Sequence, residues 1–151
     1  MATLSEDLIW EIRAFVYQHF AATAHPPSVA VTAARFTLAD GEAAAAYEQL
    51  HELHAIFLEA GTHNILMANP FSAIQTQFKV NANGRPYFAN CAWDSLGVPA
   101  VLHVDAHIEA ACSQTADPIH LHVKDGRVAN SEALVHLLVP FKQWYNDMVF
   151  T

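Results

Sequence analysis

The chain has 151 residues, of which 53% are hydrophobic, and a formal charge of −8. That length fits one compact domain, or one domain with a small helical appendage, and leaves ample apolar material for a core. The acidity argues against a phosphate backbone as partner, and no apolar run approaches the ~20 residues of a membrane span.

The N-terminus, Met1 to Asp7, lacks the basic flank and apolar stretch of a signal peptide. Leu8, Ile12, Val16 and Phe20 then recur at i+4, which predicts an amphipathic helix over 8–20 with Ser5 as its N-cap. Pro26 and Pro27 break the pattern. A second, shorter helix follows, with Ser28 near its cap and an end near Phe36. Thr37 to Asp40 opens a third helix, expected from Gly41 to Glu59 with Gly61 as its stop. Three helices followed by the strand-like Ile65-Leu66-Met67 and Phe78-Lys79-Val80 read as a winged-helix-like module. A DNA-reading third helix needs basic side chains. This one offers Glu42, Glu48, Glu52 and Glu59, so a packing or lid role is favoured and no nucleic acid is expected.

Asn69-Pro70-Phe71-Ser72 is a turn and a natural boundary, dividing the chain into 1–68 and 69–151. The stretch from Asn81 to Pro86 is turn-rich. A short apolar helix is expected over 91–102, although Gly97 and Pro99 weaken it. Alternation then predicts strands over 101–111 and 119–123. A hairpin turn at Lys124-Asp125-Gly126-Arg127 leads to a return strand from Val128. A further strand is expected over 134–139, ended by Pro140, with a helical turn from Phe141 to Asp147. The chain closes within the apolar run Met148 to Thr151, which leads us to expect further chain beyond it. Together these elements predict an α+β fold.

Histidine is over-represented, with 10 residues. His51 and His54 lie at helical spacing, while His103, Asp105 and His107, and separately His120 and His122, alternate as on a strand face. None has the spacing of a recognised zinc motif. Half-exposed histidines on sheet surfaces are the simpler reading. The 2 cysteines are too few for a disulfide scaffold, and a reducing cytosol with both thiols free is expected.

The chemistry concentrates in Tyr87-Phe88-Ala89-Asn90-Cys91-Ala92-Trp93-Asp94. If a helix begins at Asn90, Cys91 and Asp94 share a face. A sulfur nucleophile beside a proton-carrying carboxyl suits capture of a soft metal followed by protonation of the group that the metal releases. The helix N-terminus is expected to lower the Cys91 pKa. The competing reading is that Cys91 is a small buried hydrophobe, as many free cysteines are. Phe88 and Trp93 are candidates for an apolar pocket wall or for plain core. Cys112, at a strand end, reads alone as structural.

Four segments carry a resemblance: Asn69-Pro70-Phe71-Ser72, Tyr87 through Ala100, Ile108-Glu109-Ala110-Ala111-Cys112, and Val139-Pro140 with Trp144, Tyr145 and Asp147. In that order they resemble the alkylmercury (organomercurial) lyases. The resemblance implies that family's small mixed or antiparallel sheet domain after the helical module, and carbon–mercury cleavage by protonolysis. It assigns the first mercury ligand to Cys91, the proton donor to Asp94 and a structural thiol to Cys112. No cofactor is implied. The implied partners are an organomercurial substrate and small-molecule thiols that accept the released mercury, in the cytoplasm and away from any membrane. The family's second catalytic cysteine is expected just beyond Thr151. The alternative is a binding protein for organomercurials or soft metals that does not turn them over.

Overall fold

A computed structural model describes residues 4–129 and 131–146. Asp147 and the apolar run from Met148 to Thr151 lie outside the described residues. The chain divides into two compact units, the first ending at Ile74 and the second starting at Gln75.

The first unit opens with α1 (Glu6–Thr23), where the Ser5 hydroxyl accepts the Leu8 N–H at 3.3 Å, as its sequence position requires of an N-cap. The predicted stripe is the buried one: Ile9, Ile12, Val16 and Phe20 face inward. Full burial of such side chains contributes about 1.5–3 kcal/mol each. The Ser28 hydroxyl caps α2 (Val29–Phe36) by accepting the Val31 N–H. The buried Tyr47 hydroxyl of α3 (Asp40–Glu52) lies 2.6 Å from that of Thr32 and donates to the Pro27 carbonyl, so its burial leaves no polar atom unmatched.

α3 ends at Glu52, seven residues before the helix end expected at Glu59. Leu53, counted with the buried stripe, is 58% exposed, and His54 adopts φ +55. The chain reverses there, and beyond that reversal Ile56 and Phe57 are both buried, which a continued helix would not have achieved for them together with exposed Leu53. Phe57 belongs to β1 (Phe57–Leu58) and pairs with Met67 of β2 (Ile65–Ala68). Strand β2 pairs in turn with β3 (Phe71–Ser72) across the Asn69-Pro70 turn. Phe71 stacks on Phe20 at 5.3 Å between ring centroids, tying this small antiparallel sheet to α1.

The second unit is an antiparallel sheet in the order β5-β4-β6-β7-β8 with one helix against it. Strands β4 (Lys79–Ala82) and β5 (Arg85–Ala89) form a hairpin through Asn83-Gly84. Both turn residues have positive φ, as a two-residue hairpin turn demands. Helix α4 (Ala92–Leu102) lies across β4, β5 and β6 (Ala106–Ala111). Strands β7 (Pro118–Lys124) and β8 (Arg127–Ala129) extend the sheet through the expected Asp125-Gly126 turn.

Strand parity sorts the sheet into two chemically distinct faces. Val80, Ile108 and Leu121 stand opposite one another across β4, β6 and β7, as do Ala82, Ala106 and Val123, and these rows turn toward α4. The neighbouring rows, Lys79 with Glu109 and His120, and Asn81 with His107 and His122, belong to the other face.

Two expected elements of the second unit also differ. The strand predicted from Val101 starts only at Ala106, because α4 continues past Pro99 and stops where His103 takes a left-handed conformation. The strand predicted over 134–139 is irregular chain. Its apolar residues have no ladder to join, since they border a cavity instead. A 3-10 helix, Phe141–Asn146, follows where a helical turn was expected.

Candidate active site

Cys91 is the N-cap of α4. Its extended backbone (φ −148, ψ 178) ends β5's approach, and its Sγ accepts the Asp94 N–H at 3.4 Å. The cap turns the side chains of Cys91 and Asp94 toward each other, as the i, i+3 spacing predicts. Asn90, one residue before the cap, donates from Nδ2 to Asp94 Oδ2 at 3.2 Å. Asn90, Cys91 and Asp94 therefore form one linked group at a helix start.

The electrostatics differ from the expectation for the thiol. Burial pushes the Cys91 thiol above its ordinary value, and the Asp94 carboxylate pushes in the same direction. The Asp94 N–H works the other way and does not prevail. The stabilisation that a helix N-terminus offers a thiolate is thus outweighed by desolvation in a half-buried, water-poor corner. Burial also raises Asp94, against the opposing hydrogen bonds from Asn90 and from the Cys91 thiol. Both groups hold their protons longer than they would in water.

Asn90 and Cys91 line a cavity of about 460 Å³ on the α4 face of the sheet. Phe78, Leu96, Ile108, Ile119 and Leu121 give it an apolar lining. The irregular segment 133–138 borders it. Asp94 is not on the cavity wall and reaches it through its contacts with Asn90 and Cys91.

Cys112 lines the same cavity from the end of β6. Sequence separation alone gave no indication of that proximity. Its N–H donates to the Asp117 carbonyl at 2.8 Å, closing a tight turn. The Thr115 hydroxyl and nearby backbone N–H groups lower the Cys112 thiol below its ordinary value. The two thiols on this cavity are therefore shifted in opposite directions.

Phe88 and Trp93 do not supply the wall proposed for them. Phe88 pairs with Lys79 and so belongs to the face of the sheet opposite α4, while Tyr87 and Ala89 point into the core. Trp93 lies two residues past Cys91, about 200° around the helix, and is 63% exposed. Sequence reasoning missed the residues that take their place, because Phe78, Ile108, Ile119 and Leu121 are gathered only by strand register. It also missed Asn90, whose i, i+4 relation to Asp94 was a readable signal.

The histidine clusters separate. His51 and His54 pack their rings on Phe57, and His103 closes α4. His107, His120 and His122 gather on the outer face of the sheet. Among the described residues no three His, Cys, Asp or Glu side chains converge on one metal position.

The role of Asn90 is open to a direct test. Its amide stabilises the ionised form of Asp94, so Asn90→Ala is expected to move the Asp94 pKa further up. The carboxyl ¹³C chemical shift followed against pH measures this; an unchanged or lowered midpoint would refute the contact.

The sequence pattern of the MerB alkylmercury lyase family matches residues 71–151. Alkylmercury lyases from Bacillus cereus and from Clostridium butyricum are each 31% identical to this chain over 70 residues, which is 44% of this chain and 32% of theirs. The chain thus spans about a third of the length of these curated relatives. A crystal structure of the mercury-bound form of MerB2 shares the fold, with a TM-score of 0.66 at 22% identity, over 86% of this chain and 62% of that one. The family match covers more than half of the sequence, including the α4 cap, the cavity and both cysteines. On that match, the chain belongs to the alkylmercury lyase family.

Proposed function

We propose that this protein cleaves carbon–mercury bonds by protonolysis, with Cys91 binding mercury and Asp94 donating the proton. The observation that carries this reading is the contact between a thiol and a carboxyl, both shifted toward their protonated forms, beside an apolar cavity. Mercury is soft and prefers sulfur to oxygen or nitrogen. An organomercurial R–Hg–X entering the cavity exchanges its labile X for the Cys91 sulfur, and the thiol proton is released as the bond forms. Metal binding thereby overcomes the raised thiol pKa.

The Hg–C bond then needs a proton at carbon, since a free carbanion is too poor a leaving group. Asp94 retains its proton because of burial, and delivers it from beside Cys91. R–H departs with that proton, both Hg–C electrons enter the new C–H bond, and Hg²⁺ stays on the Cys91 thiolate. Asp94 is left as a carboxylate stabilised by the Asn90 amide. Small-molecule thiols carry the Hg²⁺ away and complete the cycle. The reading places the protein in the reducing cytoplasm, consistent with both cysteines being free.

The N-terminal helices, with the strands that follow, form a winged-helix-like module in this proposal; the compact unit that holds them runs on to Ile74, past the boundary at residue 69 expected from sequence, because β3 pairs with β2. Its task is packing or shielding. Helix α3 carries Asp40, Glu42, Glu48 and Glu52 and no Lys or Arg, which disfavours a nucleic-acid contact.

One observation favours a second reading. Cys112 gives the cavity a second sulfur, which suits a protein that captures an organomercurial or soft metal without turning it over. Phenylmercury separates the two. The reduced protein with excess small-molecule thiol is expected to release benzene catalytically. A stoichiometric phenylmercury adduct by intact mass, with no benzene, would replace the lyase reading by the binding one.

A further inference from the structure

The outer face of the second-unit sheet holds a cluster that the lyase reading does not use. His107 on β6 stands directly opposite His122 on β7, and Glu109 stands opposite His120. All four belong to the face turned away from α4 and the Cys91 cavity. The His107 ring centroid is 4.7 Å from that of His122, with the rings inclined by 26°. It is 5.4 Å from that of His120, with the rings only 7° from parallel. His107 Nδ1 lies 3.7 Å from Glu109 Oε1.

We propose that His107 and His122 form a two-imidazole site for a borderline divalent cation of the Ni²⁺, Cu²⁺ or Zn²⁺ class, with Glu109 as the group that orients His107. Imidazole nitrogen suits these ions, and water fills the remaining positions. The lone pair of a ring nitrogen lies in the ring plane. Parallel rings, as in the His107–His120 pair, therefore aim their lone pairs alongside each other rather than at one point. The His107–His122 rings are also stacked, but they are directly opposed and closer, so rotation about χ2, a soft torsion in histidine, is what would bring their nitrogens onto one ion. Both side chains are open enough to make that rotation.

Glu109 supplies the outer support that metal-binding imidazoles commonly have. It faces Nδ1 of His107, which leaves Nε2 to bind the ion. Lys79, 3.4 Å away, and Asn81, 2.8 Å away, fix its two oxygens. The overall charge of −8 favours cation approach. The absence of a third convergent ligand among the described residues sets the class of site: two protein ligands and an open, exchangeable ion.

The test is titration of untagged, reduced protein with Ni²⁺, by calorimetry and by amide NMR. One Ni²⁺ per chain is expected, with paramagnetic broadening centred on His107 and His122. Glu109→Gln should weaken binding by about tenfold. His122→Gln should cost more than that, while His120→Gln stays near wild type. Thermal melts of each variant check that the sheet is intact; His122 is exposed, so Gln fits there. No Ni²⁺ uptake, uptake unchanged in the double variant His107→Gln/His122→Gln, or broadening centred on Cys91 and Cys112 would each overturn the proposal. Benzene release is independent of all these outcomes, so a failed lyase reading leaves this one standing, and the reverse.

Discussion

Cys91→Ser is expected to reduce benzene release from phenylmercury to the uncatalysed background while leaving the fold intact. The two halves of that expectation have separate physical origins. Serine keeps an acceptor at the N-cap of α4, where the Cys91 sulfur now takes the Asp94 N–H at 3.4 Å. Serine is among the preferred N-cap residues, so the melting temperature should hold or rise slightly. Oxygen, however, is a hard and weakly binding ligand for mercury, and the first bond of the reaction is lost. Mass spectrometry of the treated variant adds a second readout. An adduct that remains on Cys91→Ser and disappears in Cys91→Ser/Cys112→Ser would locate it at Cys112, the other thiol on the cavity. Benzene release by Cys91→Ser at the wild-type rate would remove Cys91 from the mechanism altogether.

Local rules were legible in the sequence wherever a short stretch of chain decides the outcome. Ser5 and Ser28 cap the helices they were expected to cap, the Asp125-Gly126 hairpin forms, and the α4 start brings Cys91 and Asp94 together. Trp93 and Asn90 follow from helix geometry alone, whereas the other misreadings involve tertiary competition. Leu53 and Phe57 continue the spacing of helix α3 toward Glu59, yet Phe57 is taken by its pairing with Met67. Proximity to Cys91 suggests Phe88 for the pocket, and strand parity turns it to the far face. Cys112 joins the Cys91 cavity only because β6 lies beside β4 in the sheet, a neighbour relation that crosses the whole of α4. The thiol's acidity departs from expectation for a similar reason. The helix N-terminus is visible in sequence, whereas the apolar surroundings that outweigh it are assembled from strands β6, β7 and β8, helix α4 and irregular chain.

Asp94→Asn is expected to separate capture from cleavage, and to do so with a gain in stability. Asparagine preserves the shape and can still accept from Asn90 and from the Cys91 thiol, so phenylmercury should still load onto Cys91. It has no proton to give. Loss of a positioned general acid costs about 10²–10⁴ in rate, and benzene release should fall by at least about 10². In the loaded wild type, single-turnover release should decline as pH rises through the elevated Asp94 value, because the carboxylate form cannot protonate carbon. The stability effect follows from the same shift. Burial raises Asp94 above its ordinary value of 3.8, so between that value and the folded-state value the native protein binds a proton that the unfolded chain does not. Unfolding stability then falls as pH rises across that window and stays lower above it. Asparagine does not titrate, so Asp94→Asn should be more stable than wild type at neutral pH, with the difference shrinking as pH drops through that window to 3.8. Urea denaturation at several pH values measures this. A variant less stable than wild type at neutral pH would show that Asp94 stabilises the fold as an anion, and the proton-donor role would lose its physical basis. A stabilised variant that traps phenylmercury without releasing benzene would mark Asp94 as a residue kept for chemistry at the expense of the fold.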